Sequence, residues 1–182
     1  MLIIRRENRI PAEKTHLQKC LRRKVCREFR EGQNLHNYYF ADWLNASFAQ
    51  PLVKVRCFVK DKQEPWARGR GVTGSYLIVR RSASLPRFDE RFVNYGYNKV
   101  QQIEHLRAAG FEFFILNNAF VMDMPHPDST FRRDYVDGIR GDALRMRSVF
   151  ASFLSAINDK YANRSRFPIC TKVLDSYYVP LE

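Results

Sequence analysis

The densest run of residues able to do chemistry is the segment FDERFVNYGYNKV, which extends from Phe88 to Val100. It opens with two adjacent carboxylates, Asp89 and Glu90. A carboxylate can bind a substrate hydroxyl or take its proton. Gly96 then stands between two tyrosines, where the missing side chain lets the backbone approach a ligand closely. The segment therefore holds candidates for acid–base chemistry and for contact with a bound molecule.

The same segment ends at a predicted helix start that carries Asn98 and Lys99. The first turn of a helix and a lysine ammonium group both favour a bound anion. An ordinary turn followed by a helix explains these residues equally well. From the residues alone, the two interpretations are balanced.

A second candidate cluster lies in the segment FVMDMPHPDS, from Phe120 to Ser129. Asp123 and His126 follow a predicted strand and stand three residues apart, among prolines that stiffen the chain. A carboxylate and an imidazole can bind a divalent cation together. Without further ligands, a hydrogen-bonded loop is the simpler interpretation.

The elements that must position these clusters alternate between helix and strand. Apolar spacing predicts a helix over residues 96–109 that ends at Gly110. A buried strand at Phe111–Leu116 and a shorter one at Phe120–Met122 should follow. A long amphipathic helix is predicted at Arg140–Tyr161, with Leu144, Val149, Phe150, Phe153 and Ile157 on its apolar face.

The first half of the chain shows the same mixture. Leu2–Ile4 is predicted to be a short buried strand, and a helix should extend from Ala12 to Phe29. Val53, Val55, Cys57 and Val59 alternate with charged residues, which predicts one half-buried strand. A Gly- and Arg-rich loop at Gln63–Ser75 precedes a predicted strand at Tyr76–Val79. These elements indicate an α/β or α+β fold in one domain.

Composition limits the function classes. Among 182 residues, 45% are hydrophobic and 14% aromatic, which is enough for a packed core. The 31 Lys and Arg residues exceed the 19 acidic ones and give a formal net charge of +12. Such a charge favours polyanionic partners. The net charge is the only feature that supports a nucleic-acid-binding module. We therefore expect only weak, salt-sensitive and sequence-blind nucleic-acid binding, with no specific nucleic-acid partner.

Cysteines and targeting signals give weaker information. The four cysteines form no C-x-x-C pair, so a structural zinc site is not expected, whereas disulfides are permitted. The glycosylation triplets Asn45-Ala46-Ser47 and Asn163-Arg164-Ser165 matter only if the chain enters the secretory pathway. No signal peptide or 18-residue apolar run occurs, so we expect any membrane anchor to lie outside this chain.

Together, the two clusters resemble glycosyltransferase family 49, the glucuronyltransferase domain of LARGE-type xylosyl- and glucuronyltransferases. That family carries a DxRFVGxGxNK element, then a helix, a strand with an FxxLxNA pattern and an MPH segment. The matching residues here are Phe88, Asp89, Glu90, Arg91, Phe92, Val93, Gly96, Asn98, Lys99, Phe111, Glu112, Phe113, Leu116, Asn118, Ala119, Met124, Pro125 and His126. The resemblance is specific from residue 86 to 129 and looser elsewhere.

The resemblance implies a GT-A (nucleotide-diphospho-sugar transferase) fold, with a mixed sheet flanked by helices. It implies inverting transfer of glucuronic acid from UDP-glucuronic acid to a glycan acceptor on a glycoprotein. It also implies a divalent metal, usually Mn²⁺, and a location in the Golgi. The site residues it suggests are Asp89 and Glu90 for acceptor binding or base catalysis, Gly96, Asn98 and Lys99 for donor binding, and Asp123 and His126 for the metal.

Two departures from the family pattern qualify this expectation. GT-A enzymes hold their metal with an Asp-x-Asp motif after an earlier strand, and this sequence contains no such triplet. Leu2–Ile4 corresponds to a later strand, so residues 1–182 should be the C-terminal part of one catalytic domain whose first nucleotide-binding half is missing. Asp123 stands where the family commonly has a histidine ligand, and His126 is either a second ligand or a loop residue.

Two interpretations follow. In the first, the chain is part of an active transferase, and the 88–99 segment and the Asp123 strand end converge on one pocket. In the alternative, the chain is a non-catalytic relative that only binds glycan or protein. The absence of the nucleotide-binding half, which carries the Asp-x-Asp motif, favours this alternative.

Overall fold

The computed structural model describes the chain in two compact units. The first unit comprises residues 1–71, 112–126 and 168–182, and the second comprises residues 72–111 and 127–167. The structure describes residues 2–4, 10–28, 40–47, 49–55, 58–59, 76–124, 126–127, 129–138, 142–162, 164–165, 169–170 and 178–179. The predicted loop at Gln63–Ser75 lies outside these residues.

The first unit is a mixture of two helices and short strands in its described part. Its elements are β1 (Leu2–Ile4), α1 (Lys14–Arg22), β2 (Cys26–Glu28), α2 (Phe40–Asn45), β3 (Leu52–Val55), β4 (Phe58–Val59), β5 (Phe114–Leu116), β6 (Met122–Asp123), β7 (Ile169–Cys170) and β8 (Tyr178–Val179). One sheet has the order β2-β1-β6, with β1 antiparallel to β2 and parallel to β6. A second, antiparallel sheet has the order β5-β3-β8, and β4 pairs with β7 in parallel.

Helix α1 is shorter than the sequence predicted. It ends at Arg22 instead of Phe29, and Cys26–Glu28 forms β2. Lys24 adopts a left-handed φ of 56°, and the Val25 amide donates to the Cys20 carbonyl, which turns the chain out of the helix. A Cys20–Cys26 disulfide joins the helix end to the strand. The apolar spacing in this region therefore reflects a helix, a turn and a strand.

The alternating segment after Pro51 forms two strands instead of one. In β3, Val53 and Val55 are buried while Leu52 is exposed, as the period of two predicts. Phe58–Val59 belongs to a different sheet, where it pairs with Ile169–Cys170. The alternation is correct within β3 but does not continue through one strand to Val59.

A buried polar cluster around Lys14 connects helix α1 with the α2 region and with the segment that follows β5. The Lys14 ammonium group donates to the carbonyl of Trp43, to the Ala46 carbonyl (3.2 Å) and to the Asn117 side-chain oxygen (3.3 Å). It also lies 4.7 Å from the centroid of the Trp43 ring. Burial lowers the pKa of Lys14 because the charged form loses hydration. Leu17 and Cys26 pack with Trp43 in the adjoining apolar core.

The second unit is helical in its described part. It contains α3 (Asn98–Ala108), α4 (Thr130–Asp137) and α5 (Asp142–Tyr161), and α3 packs on α5. The prediction of α5 is confirmed within two residues, and Phe150, Phe153 and Ile157 are buried. Leu144 was predicted on the apolar face but is 68% exposed. Helix α4 was not predicted.

Several strand predictions need correction. Tyr76–Val79 forms no strand and pairs with no described strand, and Ile78 is 88% exposed. Its apolar residues are typical of a strand, but a strand also needs a neighbouring strand that binds its backbone N–H and C=O groups. Strand β5 begins at Phe114 instead of Phe111, and Phe114 and Leu116 on its outer face are exposed. Strand β6 begins two residues later and ends one residue later than predicted, so Asp123 is its last residue.

Candidate active site

In the second unit, the segment Phe88–Lys99 (the 88–99 turn) leads into helix α3. The Asp89 amide donates to the Gln101 side-chain oxygen (3.3 Å), and the Gln102 side-chain nitrogen donates to the Pro86 carbonyl (2.8 Å). Both glutamines are buried although they are polar. They clamp the segment that carries the candidate carboxylates onto the first turns of the helix.

Neither glutamine was a candidate site residue in the sequence. They interrupt the apolar spacing of the predicted helix and look like residues of an exposed face. The Gln101 side-chain nitrogen and the Gln102 side-chain oxygen are buried without a described hydrogen-bond partner. Buried polar groups without a partner are uncommon in folded proteins.

The Asp89 carboxylate is held by Arg91. One carboxylate oxygen accepts from the Arg91 backbone amide (3.0 Å) and from Nε (2.9 Å), and the other accepts from Nη2 (2.6 Å). These hydrogen bonds from Arg91 lower the pKa of Asp89. Partial burial acts in the opposite direction but does not reverse the shift. Asp89 is therefore a firmly ionised acceptor whose oxygens are already engaged, which makes it a poor proton acceptor.

Glu90 differs from its neighbour. Its side chain is exposed, and within the described contacts Arg91 engages Asp89 instead of Glu90. The two adjacent carboxylates, equivalent in the sequence, thus have different environments. Glu90 is the one open to an incoming molecule.

The backbone between them and the helix turns sharply. Asn94, Gly96 and Tyr97 have left-handed φ values of 62°, 104° and 58°. Glycine adopts this region readily and asparagine tolerates it, but tyrosine must be held there by its surroundings. The Tyr97 ring stacks on Phe150 of helix α5 with a centroid distance of 4.7 Å. Gly96 therefore lies in a turn that aromatic packing fixes, and a close approach of its backbone to a ligand stays a prediction.

Helix α3 begins with the predicted donor-binding residues. No described side chain caps its first turn, and its N-cap residue is Tyr97. The Asn98 side-chain nitrogen reaches back to the Asn94 carbonyl (3.5 Å). The Lys99 ammonium group lies 4.3 Å from the centroid of the exposed Tyr76 ring. The first turn of the helix therefore combines backbone amides with the lysine, a combination that favours an anionic ligand.

His105 lies farther along the same helix and was not among the site residues predicted from the sequence. Its Nε2 is 3.1 Å from the Tyr161 hydroxyl, and its ring contacts Phe153 edge to face. Burial lowers the pKa of His105; the charge of Lys160 acts in the same direction, and Arg87 and Asp89 oppose both. The neutral imidazole is the stable form of this packed residue.

Asp123 and His126 lie together at the end of strand β6 in the first unit. Asp123 Oδ1 and His126 Nε2 are 3.8 Å apart. At ligand distances of about 2.1 Å, an octahedral ion separates adjacent donors by about 3 Å and opposite donors by about 4.2 Å, so the 3.8 Å separation matches neither, and one side chain would have to shift for both to bind one ion. No group of three candidate metal ligands occurs in the described part of the chain. A metal site at this pair would need further ligands, and metal binding here stays a prediction.

The structure thus groups the candidate residues into two sets. Asp89, Glu90, Gly96, Asn98 and Lys99 share one turn and one helix start in the second unit. Asp123 and His126 form the pair in the first unit. That the two sets converge on one pocket remains a prediction.

Comparison with known proteins points to one family. The sequence model of a glycosyltransferase family described as "Glycosyl-transferase for dystroglycan" matches residues 4–161. A glycosyltransferase-like protein, gnt14 of Dictyostelium discoideum, is 38% identical over 48% of this chain and 13% of its own length. The xylosyl- and glucuronyltransferase LARGE2s of Gallus gallus is 40% identical over 44% of this chain and 11% of its own.

A third relative covers the shortest stretch. The xylosyl- and glucuronyltransferase LARGE1 of Mus musculus is 46% identical over 30% of this chain and 7% of its own length. The matched stretches are thus a small fraction of these relatives. The family match itself spans most of the chain and agrees with the resemblance carried by the 88–99 turn. This chain belongs to glycosyltransferase family 49, described as "Glycosyl-transferase for dystroglycan".

Proposed function

We propose that this chain is part of an inverting transferase that moves glucuronic acid from UDP-glucuronic acid to a glycan on a glycoprotein. The family and the relatives named xylosyl- and glucuronyltransferases support a sugar transferase. The observation that carries the proposal is the 88–99 turn, in which the hydrogen bond from the Asp89 amide to Gln101 holds two adjacent carboxylate residues against the first turns of helix α3. A carboxylate and an anion-binding helix start are the two features that this reaction needs.

Glu90 is the proposed base. In an inverting transfer, the acceptor hydroxyl loses its proton to a carboxylate while its oxygen attacks the anomeric carbon. The bond from that carbon to the diphosphate breaks, and UDP leaves with the electron pair. Both carboxylate oxygens of Asp89 already accept hydrogen bonds from Arg91. We therefore assign proton transfer to Glu90 and positioning of the turn to Asp89.

Lys99 and the start of helix α3 are the proposed anion site. The donor carries negative charge on its diphosphate and on the sugar carboxylate. The ammonium group of Lys99 and the backbone amides of the first helical turn favour such groups. Gly96 leaves the backbone accessible, and Asn98 holds the turn against the helix.

Asp123 and His126 are the proposed protein ligands for Mn²⁺. A divalent ion bound to the donor's diphosphate would neutralise the charge that develops on the leaving UDP. Asp123 offers an oxygen donor and His126 a nitrogen donor, a set that Mn²⁺ accepts.

The fold and cellular location are proposed from the same family relationship. The mixed α/β architecture is consistent with a GT-A fold. The Cys20–Cys26 disulfide favours an oxidising compartment, which agrees with the Golgi. None of the described helices has the length and apolar character to cross a membrane.

A donor panel tests this proposal. The full-length protein is incubated with Mn²⁺, a glycan acceptor and UDP-glucuronic acid, UDP-xylose or UDP-glucose, and UDP release and product stereochemistry are measured. We expect turnover with UDP-glucuronic acid and inverted configuration at the transferred sugar. Turnover with a neutral donor alone would reject the glucuronic acid assignment. Binding of glycan without turnover of any donor would favour the non-catalytic alternative.

A further inference from the structure

The glycosylation triplet Asn45-Ala46-Ser47 is presented outward at the end of helix α2. Asn45 is the last residue of this helix, and its side chain is exposed, as is that of Ser47. Trp43, two residues earlier on the same helix, is buried. The helix therefore turns one face to the core and leaves its C-terminal end at the surface.

The backbone of the same segment is anchored inward. Gln18 donates to the Leu44 carbonyl (3.0 Å), Lys14 to the Ala46 carbonyl (3.2 Å) and Asn117 to the Ser47 carbonyl (2.5 Å). Internal partners thus satisfy the carbonyl groups, whereas the Asn45 and Ser47 side chains stay at the surface. A large group on Asn45 would extend into solvent without displacing these hydrogen bonds.

The disulfide lies in the same unit. Cys20 and Cys26 have Cα atoms 5.2 Å apart, and they join the end of helix α1 to strand β2. Structural disulfides form in the oxidising compartments through which secreted proteins pass. Asparagine-linked glycosylation of N-x-S/T triplets belongs to the same pathway. The sequence motif, its exposure and the disulfide are three separate observations, and each is expected of a protein that is glycosylated in the secretory pathway.

We propose that Asn45 carries an asparagine-linked glycan. In this modification, the side-chain nitrogen of Asn45 forms a bond to the anomeric carbon of an oligosaccharide linked to a lipid pyrophosphate. The bond from that carbon to the pyrophosphate oxygen breaks, the lipid pyrophosphate leaves, and the amide loses one proton to a base of the cellular transferase. Ser47 supplies the hydroxyl that the recognition triplet requires.

The other triplet has a different setting. The Ser165 hydroxyl is half-buried and accepts from Arg107 Nη1 (3.2 Å). Arg107 in turn binds Glu104, which is almost fully buried. Asn163 lies outside the described residues. The proposal is therefore restricted to Asn45, and Asn163 serves as the comparison.

Peptide mapping of the full-length protein, expressed in a eukaryotic cell and purified from the secretory pathway, tests this site. Trypsin releases residues 31–54 as one peptide whose only N-x-S/T triplet is at Asn45. We expect this peptide to carry a glycan, and peptide N-glycosidase should remove it and leave aspartate in place of Asn45. Asn45→Gln and Ser47→Ala should abolish the modification, whereas Ser47→Thr and Asn163→Gln should preserve it.

The disulfide state provides the internal control. An unmodified Asn45 peptide from protein whose Cys20–Cys26 bond is oxidised would overturn the proposal directly. An unmodified peptide together with reduced cysteines would overturn its premise that the chain passes through an oxidising compartment. Donor turnover by the Asn45→Gln variant, measured separately, distinguishes this result from failure of the proposed transferase function.

Discussion

At the scale of single residues, neighbouring side chains of the same type have different environments. The sequence identifies Asp89 and Glu90 as adjacent carboxylates but cannot assign their roles, because those depend on where one guanidinium group points. Arg91 binds both oxygens of Asp89 and leaves Glu90 exposed. The structure thus separates a positioning carboxylate from a candidate base.

The first prediction concerns this pair. Glu90→Gln should lower kcat about 10²- to 10⁴-fold with little change in KM for the donor, because it removes proton transfer and preserves size. Asp89→Asn should lower kcat less, since a neutral amide still accepts hydrogen bonds from the Arg91 backbone. Steady-state kinetics of both variants provides the test. A larger loss of kcat in Asp89→Asn than in Glu90→Gln would contradict the assignment.

The second prediction concerns His105. Its pKa is lower in the folded protein than in the unfolded chain, mainly because of burial, so the unfolded state binds more protons. The stability associated with neutral His105 is present above the unfolded pKa of about 6.5 and is lost as the pH falls toward the folded value. Lys160, Arg87, Asp89 and Tyr161 are the groups around the ring.

His105→Gln should therefore flatten the decline of Tm between about pH 7 and pH 5. Glutamine keeps a polar side chain toward Tyr161 but does not titrate in this range. Thermal unfolding of the wild type and the variant across this interval measures the effect. An identical decline in both proteins would show that His105 does not contribute to the acid sensitivity.

At the scale of secondary-structure elements, local periodicity was a good guide where one face is buried against a neighbour. It correctly predicted α5, most of α3 and the alternation within β3. It failed where the decisive contact is distant or depends on one backbone angle. The left-handed Lys24 and the Cys20–Cys26 disulfide end α1, and neither has a periodic signal. Gln101 and Gln102 are buried because they bind the 88–99 turn, a tertiary contact.

The third prediction concerns the connection between β5 and the α2 region. Asn117 is fully buried; its side-chain nitrogen donates to the Ser47 and Gln50 carbonyls, and its oxygen accepts from Lys14. Asn117→Ala leaves these partners unsatisfied, so we expect a loss of about 3 kcal/mol in the free energy of unfolding. The exposed neighbour is a matched control, and Asn118→Ala should change stability by less than about 0.5 kcal/mol. Equal effects in urea unfolding would refute the role of this cluster.

At the scale of the whole molecule, the ordered series of motifs was more informative than composition. The net charge of +12 permits many polyanionic partners and selects none. The family match over residues 4–161 agrees with the resemblance found in the sequence. The sequence also identified the Asp123–His126 pair, which the structure brings within 3.8 Å. It could not identify other ligands for the proposed metal site, because such ligands would depend on tertiary structure and on the proposed donor.

Manganese titration of donor turnover tests the central claim most directly. UDP release by the full-length protein is measured against Mn²⁺ concentration for the wild type, Asp123→Ala and the exposed control Asp159→Ala. Loss of a ligand should raise the half-saturating Mn²⁺ concentration at least tenfold in Asp123→Ala and leave Asp159→Ala unchanged. An unaltered manganese dependence in Asp123→Ala would contradict a metal-assisted sugar transfer that uses this residue.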